Sequence, residues 1–176
     1  MRTKMVMVAA MAGMLAGPAF AEGGETSVDL RYGEQSGISQ RALSLRFGDI
    51  WSRSGERWTM RLQPVVEAGH LRYRGSRASN DSLNYGSLAL GFRAATNHQK
   101  LRPYFEAGLG GAYFSQTSLG PRSLSTRFQF TEWIGVGLDI GKHVSIGWRY
   151  VHFSNANIKK PNDGIDLQQV VLSARF

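Results

Sequence analysis

The chain has 176 residues, no cysteine, and 21 Lys+Arg against 13 Asp+Glu, a formal charge of +8. That length favours a single domain, and the missing cysteines exclude a disulfide framework, a thiolate metal site and a cysteine nucleophile. Only 19% of residues are charged, and 21 are glycine against 5 proline, a mixture that fits neither a helical bundle nor a disordered tail.

Arg2 and Lys4 precede an apolar stretch from Met5 to Phe20, closed by Ala19-Phe20-Ala21 with small residues at the two positions a signal peptidase reads. The pattern predicts a secretory signal peptide over residues 1–21. A membrane anchor fits less well, because the stretch holds Gly13, Gly17 and Pro18 and is shorter than the ~20 residues a spanning helix needs. Cleavage after Ala21 leaves 155 residues, 22–176, and the loss of Arg2 and Lys4 lowers the charge from +8 to +6.

Beyond Ala21 no run of ~18 apolar residues occurs, so a helical membrane protein is excluded. Alternation takes its place. Val28, Leu30 and Tyr32 alternate with Ser27, Asp29 and Arg31, and Leu43, Leu45 and Phe47 with Ala42, Ser44 and Arg46. The period of two continues through Trp58, Met60 and Leu62, through Leu88, Leu90 and Phe92, and through Phe105, Ala107, Leu109, Gly111 and Tyr113. It returns in Ile134 to Ile140, in Val144, Ile146, Trp148 and Tyr150, and in Val170, Leu172, Ala174 and Phe176. Each run predicts a strand with one apolar face.

Eight such strands, separated by turn-rich segments at 33–39, 75–81, 115–124 and 155–164, predict an all-β protein, an eight-stranded antiparallel transmembrane β-barrel of the outer membrane whose interior is filled by side chains. A soluble sandwich or lipocalin-like barrel also alternates. Two features favour the membrane: small and charged residues such as Glu106, Gly108 and Gly110 share the presumed inner face, and terminal Phe176 stands on an alternating strand. With the amino end in the periplasm, 155–164 becomes an extracellular loop and 140–143 a short periplasmic turn. Residues 48–57, with Trp51, are long for a periplasmic connection unless Trp51 belongs to an interfacial belt.

His152 and Ser154 stand two residues apart at the end of the seventh strand, so their side chains leave one face ~7 Å apart at the backbone. Parity counted from Ile146 and Trp148, and from Val170 and Leu172, turns His152, Ser154 and Asp166 outward, where a purely structural barrel gains nothing from an acid or an imidazole. A serine hydroxyl needs an adjacent base, and an imidazole needs a carboxylate on its second nitrogen. Ser154, His152 and Asp166 can fill those three roles. The amides of Asn155 and Asn162 and the backbone near Ala156 and Asn157 offer oxyanion donors. The bland alternative makes His152 a belt residue and Ser154 the start of a loop, and His-x-Ser alone does not separate the two.

The segment His152-Phe153-Ser154-Asn155-Ala156, with Lys159 and Pro161-Asn162-Asp163-Gly164-Ile165, resembles the signature of the lipid A 3-O-deacylases of the PagL type. Phe105 to Gly110 and Ile134 to Leu138 are similar to two further blocks of that family. The resemblance implies an outer-membrane barrel and serine esterase that removes the ester-linked 3-hydroxyacyl chain at the 3-position of lipid A. It implies Ser154 as nucleophile, His152 as base, and Asn162 with the backbone around Ala156 as the oxyanion site. The family pattern has Glu where this chain has Asp166, one methylene shorter, with Asp163 as the fallback acid.

His70, His98 and His143 stand apart from ligand-like neighbours, no metal-ligand spacing occurs, and no cofactor is implied. Arg72, Arg74 and Arg77, with Lys159 and Lys160, read as a solvated face or as contacts to lipid A phosphates. On that reading the remaining +6 faces the outer leaflet, and nucleic acid is not a partner. A non-catalytic adhesin or structural barrel, and another outer-membrane lipid hydrolase such as a phospholipase or an acyl transferase, remain as rivals. Acyl-chain length, latency in the native membrane and pairing as a homodimer are left open.

Overall fold

The computed structural model describes residues 25–75, 80–97 and 100–176; the expected signal segment, Arg77 and His98 lie outside them. Its strands are β1 (Ser27–Gln35), β2 (Ile38–Arg46), β3 (Trp51–Ser54), β4 (Trp58–Tyr73), β5 (Ser82–Thr96), β6 (Leu101–Phe114), β7 (Ser118–Leu119), β8 (Arg122–Ser123), β9 (Phe128–Ile140), β10 (Val144–Ser154) and β11 (Ile165–Arg175). The eight long strands are the eight alternating runs of the sequence. Each pairs antiparallel with its neighbour, β1 also pairs with β11, and β2 with β4, so the sheet closes on itself.

Register defines the barrel's geometry. From Leu88 on β5, cross-strand partners lead one way through Val66, Leu45, Val28, Ala174 and Val144 to Ile140. The other way they lead through Gly111 to Phe130. The two arrivals on β9 differ by ten residues, from 130 to 140, and that shear tilts the strands as closure requires.

Two connections depart from the sequence reading. β1 continues through Gly33 to Gln35, and only Ser36 and Gly37 form the turn, with φ of 52° and 76°. Two consecutive left-handed residues make the two-residue hairpin loop whose twist matches the flanking strands. The long connection around Trp51 is itself a strand, because Trp51 to Ser54 pair with Leu62 to Thr59 and lengthen the β4 hairpin. Trp51 and Trp58 are both exposed at that short-turn end.

The two faces of the wall have opposite chemistry. Outward residues such as Leu88 (64% exposed), Leu109 (61%) and Val170 (56%) form an apolar surface far larger than a water-soluble monomer carries. In hydrocarbon the same surface costs nothing, and closure leaves no unpaired strand edge. Inside, Asp29 accepts from Arg31 at 2.8 Å and lies 3.3 Å from Arg46. Glu106 lies 3.0 Å from Arg46 and 2.7 Å from Arg149, and Asp139 pairs with Arg93, Arg102 and Arg175. Arg31, Arg46, Arg93, Arg149 and Arg175, opposite the apolar residues of their strands, are buried partners of interior acids. With Asp29, Glu67, Glu106 and Asp139 also buried, the interior takes up five positive and four negative charges and leaves the net charge of the surface almost unchanged.

Towards the long-loop end the interior turns apolar. Leu119 and Leu124, on either side of the β7–β8 turn, are fully buried. Below them Tyr85, Phe114 and Phe153 pack with ring centroids 5.4–5.6 Å apart. The barrel mouth is a packed plug, and chemistry is left to the outer wall and its rim.

Candidate active site

β10 carries Trp148, Tyr150, His152 and Ser154 on its outer face, while Val151 and Phe153 between them are buried. On β11 the outward set includes Val170, Gln168 and Asp166. The register sets His152 directly opposite Asp166. That adjacency answers the shorter side chain: Asp166 Oδ1 lies 2.7 Å from His152 Nδ1, hydrogen-bonded without the extra methylene of Glu. Both are partly exposed, His152 at 36% and Asp166 at 31% of the side chain.

Tyr150, which the alternation assigned only to the apolar face, donates its hydroxyl to the same Oδ1 at 2.7 Å. Its parity with His152 was the available signal. On the other side of His152, β9 presents Glu132, its direct register partner and an exposed outward carboxylate. Two acids thus flank the imidazole, and the hydrogen bond selects Asp166.

With Nδ1 engaged, Nε2 has no hydrogen-bond partner among the described residues. Ser154 Oγ instead accepts a long 3.5 Å contact from the Ala156 N–H. Ala156 and Asn157 have φ of 51° and 62°, a left-handed pair that curls the chain back so the Ala156 amide meets Ser154.

The loop 155–164 is held from two sides. Asn155 is fully buried, and its side-chain amide donates to the carbonyls of Leu124 and Lys159, both at 2.8 Å. That side chain is committed to the loop and the plug, so of the expected oxyanion donors the geometry favours the Ala156 N–H and the Asn162 amide. Asn162 Oδ1 accepts the Asn155 N–H at 3.1 Å, which leaves its NH₂ free to donate elsewhere. Gly164, at φ 60°, passes so close to the imidazole that a Cβ there would lie 3.1 Å from His152 Cε1. From the β7–β8 segment, Arg122 donates to the carbonyls of Asp163 (3.2 Å) and Gly164 (3.1 Å). Asp163 accepts the Ser123 N–H at 2.6 Å, a loop clamp and not an acid beside His152.

Of the five basic residues named from sequence, the four that are described do not form one group. Lys159 and Lys160 are exposed in the loop after β10, whereas Arg72 and Arg74 belong to β4 and its end, four strands from β10 in either direction.

Residues 27–175 match the family model described as Lipid A 3-O-deacylase (PagL). The chain belongs to the PagL family. It is 34% identical over 151 residues to the lipid A deacylase PagL of Bordetella bronchiseptica, covering 85% of this chain and 83% of that protein. To the lipid A deacylase PagL of Pseudomonas aeruginosa it is 33% identical over 132 residues, 72% of this chain and 75% of the relative. The crystal structure of the outer membrane enzyme PagL superposes with a TM-score of 0.69 at 28% identity, over 85% of this chain and 97% of that one. The N-terminal β-barrel domain of P. aeruginosa OprF, at 14% identity and a TM-score of 0.52 over 88% of this chain and 98% of that one, shares the fold alone. The segment matched to the PagL family contains all eight barrel strands and the whole cluster from Tyr150 to Asp166.

Proposed function

We propose that this protein is an outer-membrane lipid A 3-O-deacylase, a serine esterase whose triad of Ser154, His152 and Asp166 opens onto the lipid-facing wall. The observation that carries it is the Asp166–His152 hydrogen bond on an outward surface of a PagL-family barrel, with Ser154 next along the same face. Membership and fold alone would support a hydrolase; this arrangement supports the mechanism.

Ser154 Oγ attacks the carbonyl carbon of the 3-O-acyl chain as its proton passes to His152 Nε2, and Asp166 stabilises the imidazolium through Nδ1. The Ala156 N–H and the Asn162 amide donate to the oxyanion. Collapse breaks the bond to the sugar oxygen, which leaves with the proton from His152. Water, deprotonated by His152, then cleaves the acyl-Ser154 ester and frees the 3-hydroxy fatty acid. The long connections after β4, β6 and β10 gather at the triad end, with Ser36-Gly37 the one tight turn there, and short turns follow β5 and β9 at the other end; this matches the usual outer-membrane arrangement, so the triad lies toward the outer leaflet, and the expected signal peptide supplies export.

Mass spectrometry of lipid A from cells expressing the chain is the test. Loss of one 3-hydroxyacyl mass from the 3-position is expected. Loss from another position refutes the regiochemistry, and fatty acid released from phospholipid with lipid A untouched refutes the substrate.

The clamp on the loop predicts a second result. Arg122→Ala removes two hydrogen bonds that fix residues 163 and 164 beside His152, and turnover falls about 10- to 100-fold as the oxyanion donors lose their aim. Barrel stability stays unchanged because Arg122 is only partly buried and outside the barrel strands. Comparing turnover in micelles with thermal unfolding checks both halves.

A further inference from the structure

The wall opposite the triad has its own organisation. Across β11, β1, β2, β4 and β5, register aligns Leu172, Leu30, Leu43, Ala68 and Gly86 in one outward row. The next row toward the loops is Val170, Tyr32, Arg41, His70 and Asn84, and the one after brings Glu34, Ser39, Arg72 and Ser82 together. The wall therefore changes from apolar to cationic within two rows.

Two adjoining depressions follow that change. A groove of about 720 Å³ is lined by Leu30, Leu43, Ala68, Val170 and Leu172. A cavity of about 570 Å³ is lined by Ser39, Arg72, Arg74 and Asp81, and Arg41 and His70 border both. Arg74 lies 3.5 Å from Glu34 and donates to Tyr32 at 3.1 Å, and His70 is hydrogen-bonded to Asn84 at 2.8 Å. Arg41 and Arg72 are exposed and pair with no carboxylate among the described residues, although Asp81 shares the cavity.

Height settles the level of this patch. His70 lies four strands from β10, half the barrel, and half of the ten-residue shear is about five residues. The register from His70 through Arg41, Tyr32 and Val170 reaches β10 at Trp148. Five residues further lies Phe153, so the patch is level with His152 and Ser154 on the far side.

We propose a second, non-catalytic lipid site here, holding a lipid that bears a phosphate monoester, with an acyl chain along the groove and the phosphate on Arg41 and Arg72. Two unpaired guanidiniums suit a dianionic monoester better than the single charge of a phosphodiester, and Arg engages phosphate oxygens bidentately. In the outer leaflet, the side assigned under the proposed function, the phosphorylated lipid is lipid A itself. Lipid bound there would fix the barrel's orientation beside further substrate without being cleaved.

The test counts lipids on the full chain carrying Ser154→Ala, which removes turnover, by native mass spectrometry from micelles. Bisphosphorylated lipid A should occupy two sites, and adding Arg41→Gln and Arg72→Gln should weaken one of them at least about tenfold. Dephosphorylated lipid A should fill only the site at the triad. Equal binding with and without the two arginines, or with and without phosphate, overturns the proposal. Equal retention of phosphatidylglycerol overturns the monoester. The heat-dependent gel shift of a folded barrel shows that each variant has folded, and Arg41→Lys with Arg72→Lys should retain part of the binding. Deacylation by the wild-type chain is measured separately. Its absence would refute the esterase reading while leaving two-site binding standing, whereas an active wild-type chain whose Ser154→Ala form binds a single bisphosphorylated lipid A refutes the second site alone.

Discussion

Ser154→Ala lowers acyl release by about 10⁴-fold or more, the scale on which serine esterases lose activity with their nucleophile, in a barrel that folds normally. The folding half follows from position: Ser154 ends β10, its side chain is partly exposed, and its only side-chain hydrogen bond among the described residues is the 3.5 Å contact from Ala156. The activity half follows because His152 can activate only a hydroxyl that Nε2 can reach, and Nδ1 is taken by Asp166. Asp166→Asn should cost about 10⁴-fold through the wrong tautomer of His152, and Asp166→Glu should retain activity. Rates in mixed micelles measure all three variants. A Ser154→Ala barrel within tenfold of wild type removes the nucleophile assignment. Full activity in Asp166→Asn together with loss in Glu132→Gln would transfer the acid role across to β9.

The second large effect lies inside the wall. Glu106 is 1% exposed and receives Nε and Nη2 of Arg149 at 2.9 and 2.7 Å, with Arg46 at 3.0 Å. Glu106→Ala leaves Arg149, fully buried and stacked 4.8 Å over Trp133, as an uncompensated charge. Arg46 still keeps Asp29. Removing one partner of a buried pair costs about 3–5 kcal/mol, and urea unfolding of the micelle-bound barrel should show it. Replacing Arg149 by Met as well should recover a large part of the loss, since the orphaned charge goes with it. A cost below about 1 kcal/mol would mean that water reaches Arg149 and the interior is wetter than its packing indicates.

Much of this architecture was legible because a strand's period of two is rigid. Parity carried from Trp148 to Ser154, and from Leu172 to Asp166, places three polar groups outward from the sequence alone. The same parity sets Arg31, Arg46, Arg93, Arg149 and Arg175 opposite apolar residues, on the inner face they occupy, whereas composition does not record which face a residue takes. Register was not readable. Glu132 meets His152, and Arg41 meets His70, through pairings between strands that no single run encodes. Tyr150 escaped notice for another reason, since a tyrosine suits the lipid face by its ring and the site by its hydroxyl. Asn155 turned inward because the loop begins while the strand's alternation still holds, sending its amide to Leu124 and Lys159.

The outward opening of the proposed triad has a kinetic meaning. An enzyme with a cleft samples its substrate from a volume, but under the proposed function the substrate's carbonyl reaches Ser154 by lateral diffusion within a sheet of lipid. Its relevant concentration is a mole fraction of the bilayer. Diluting the substrate with inert lipid at constant bulk amount slows the reaction, whereas diluting the whole suspension with buffer leaves the rate per barrel unchanged.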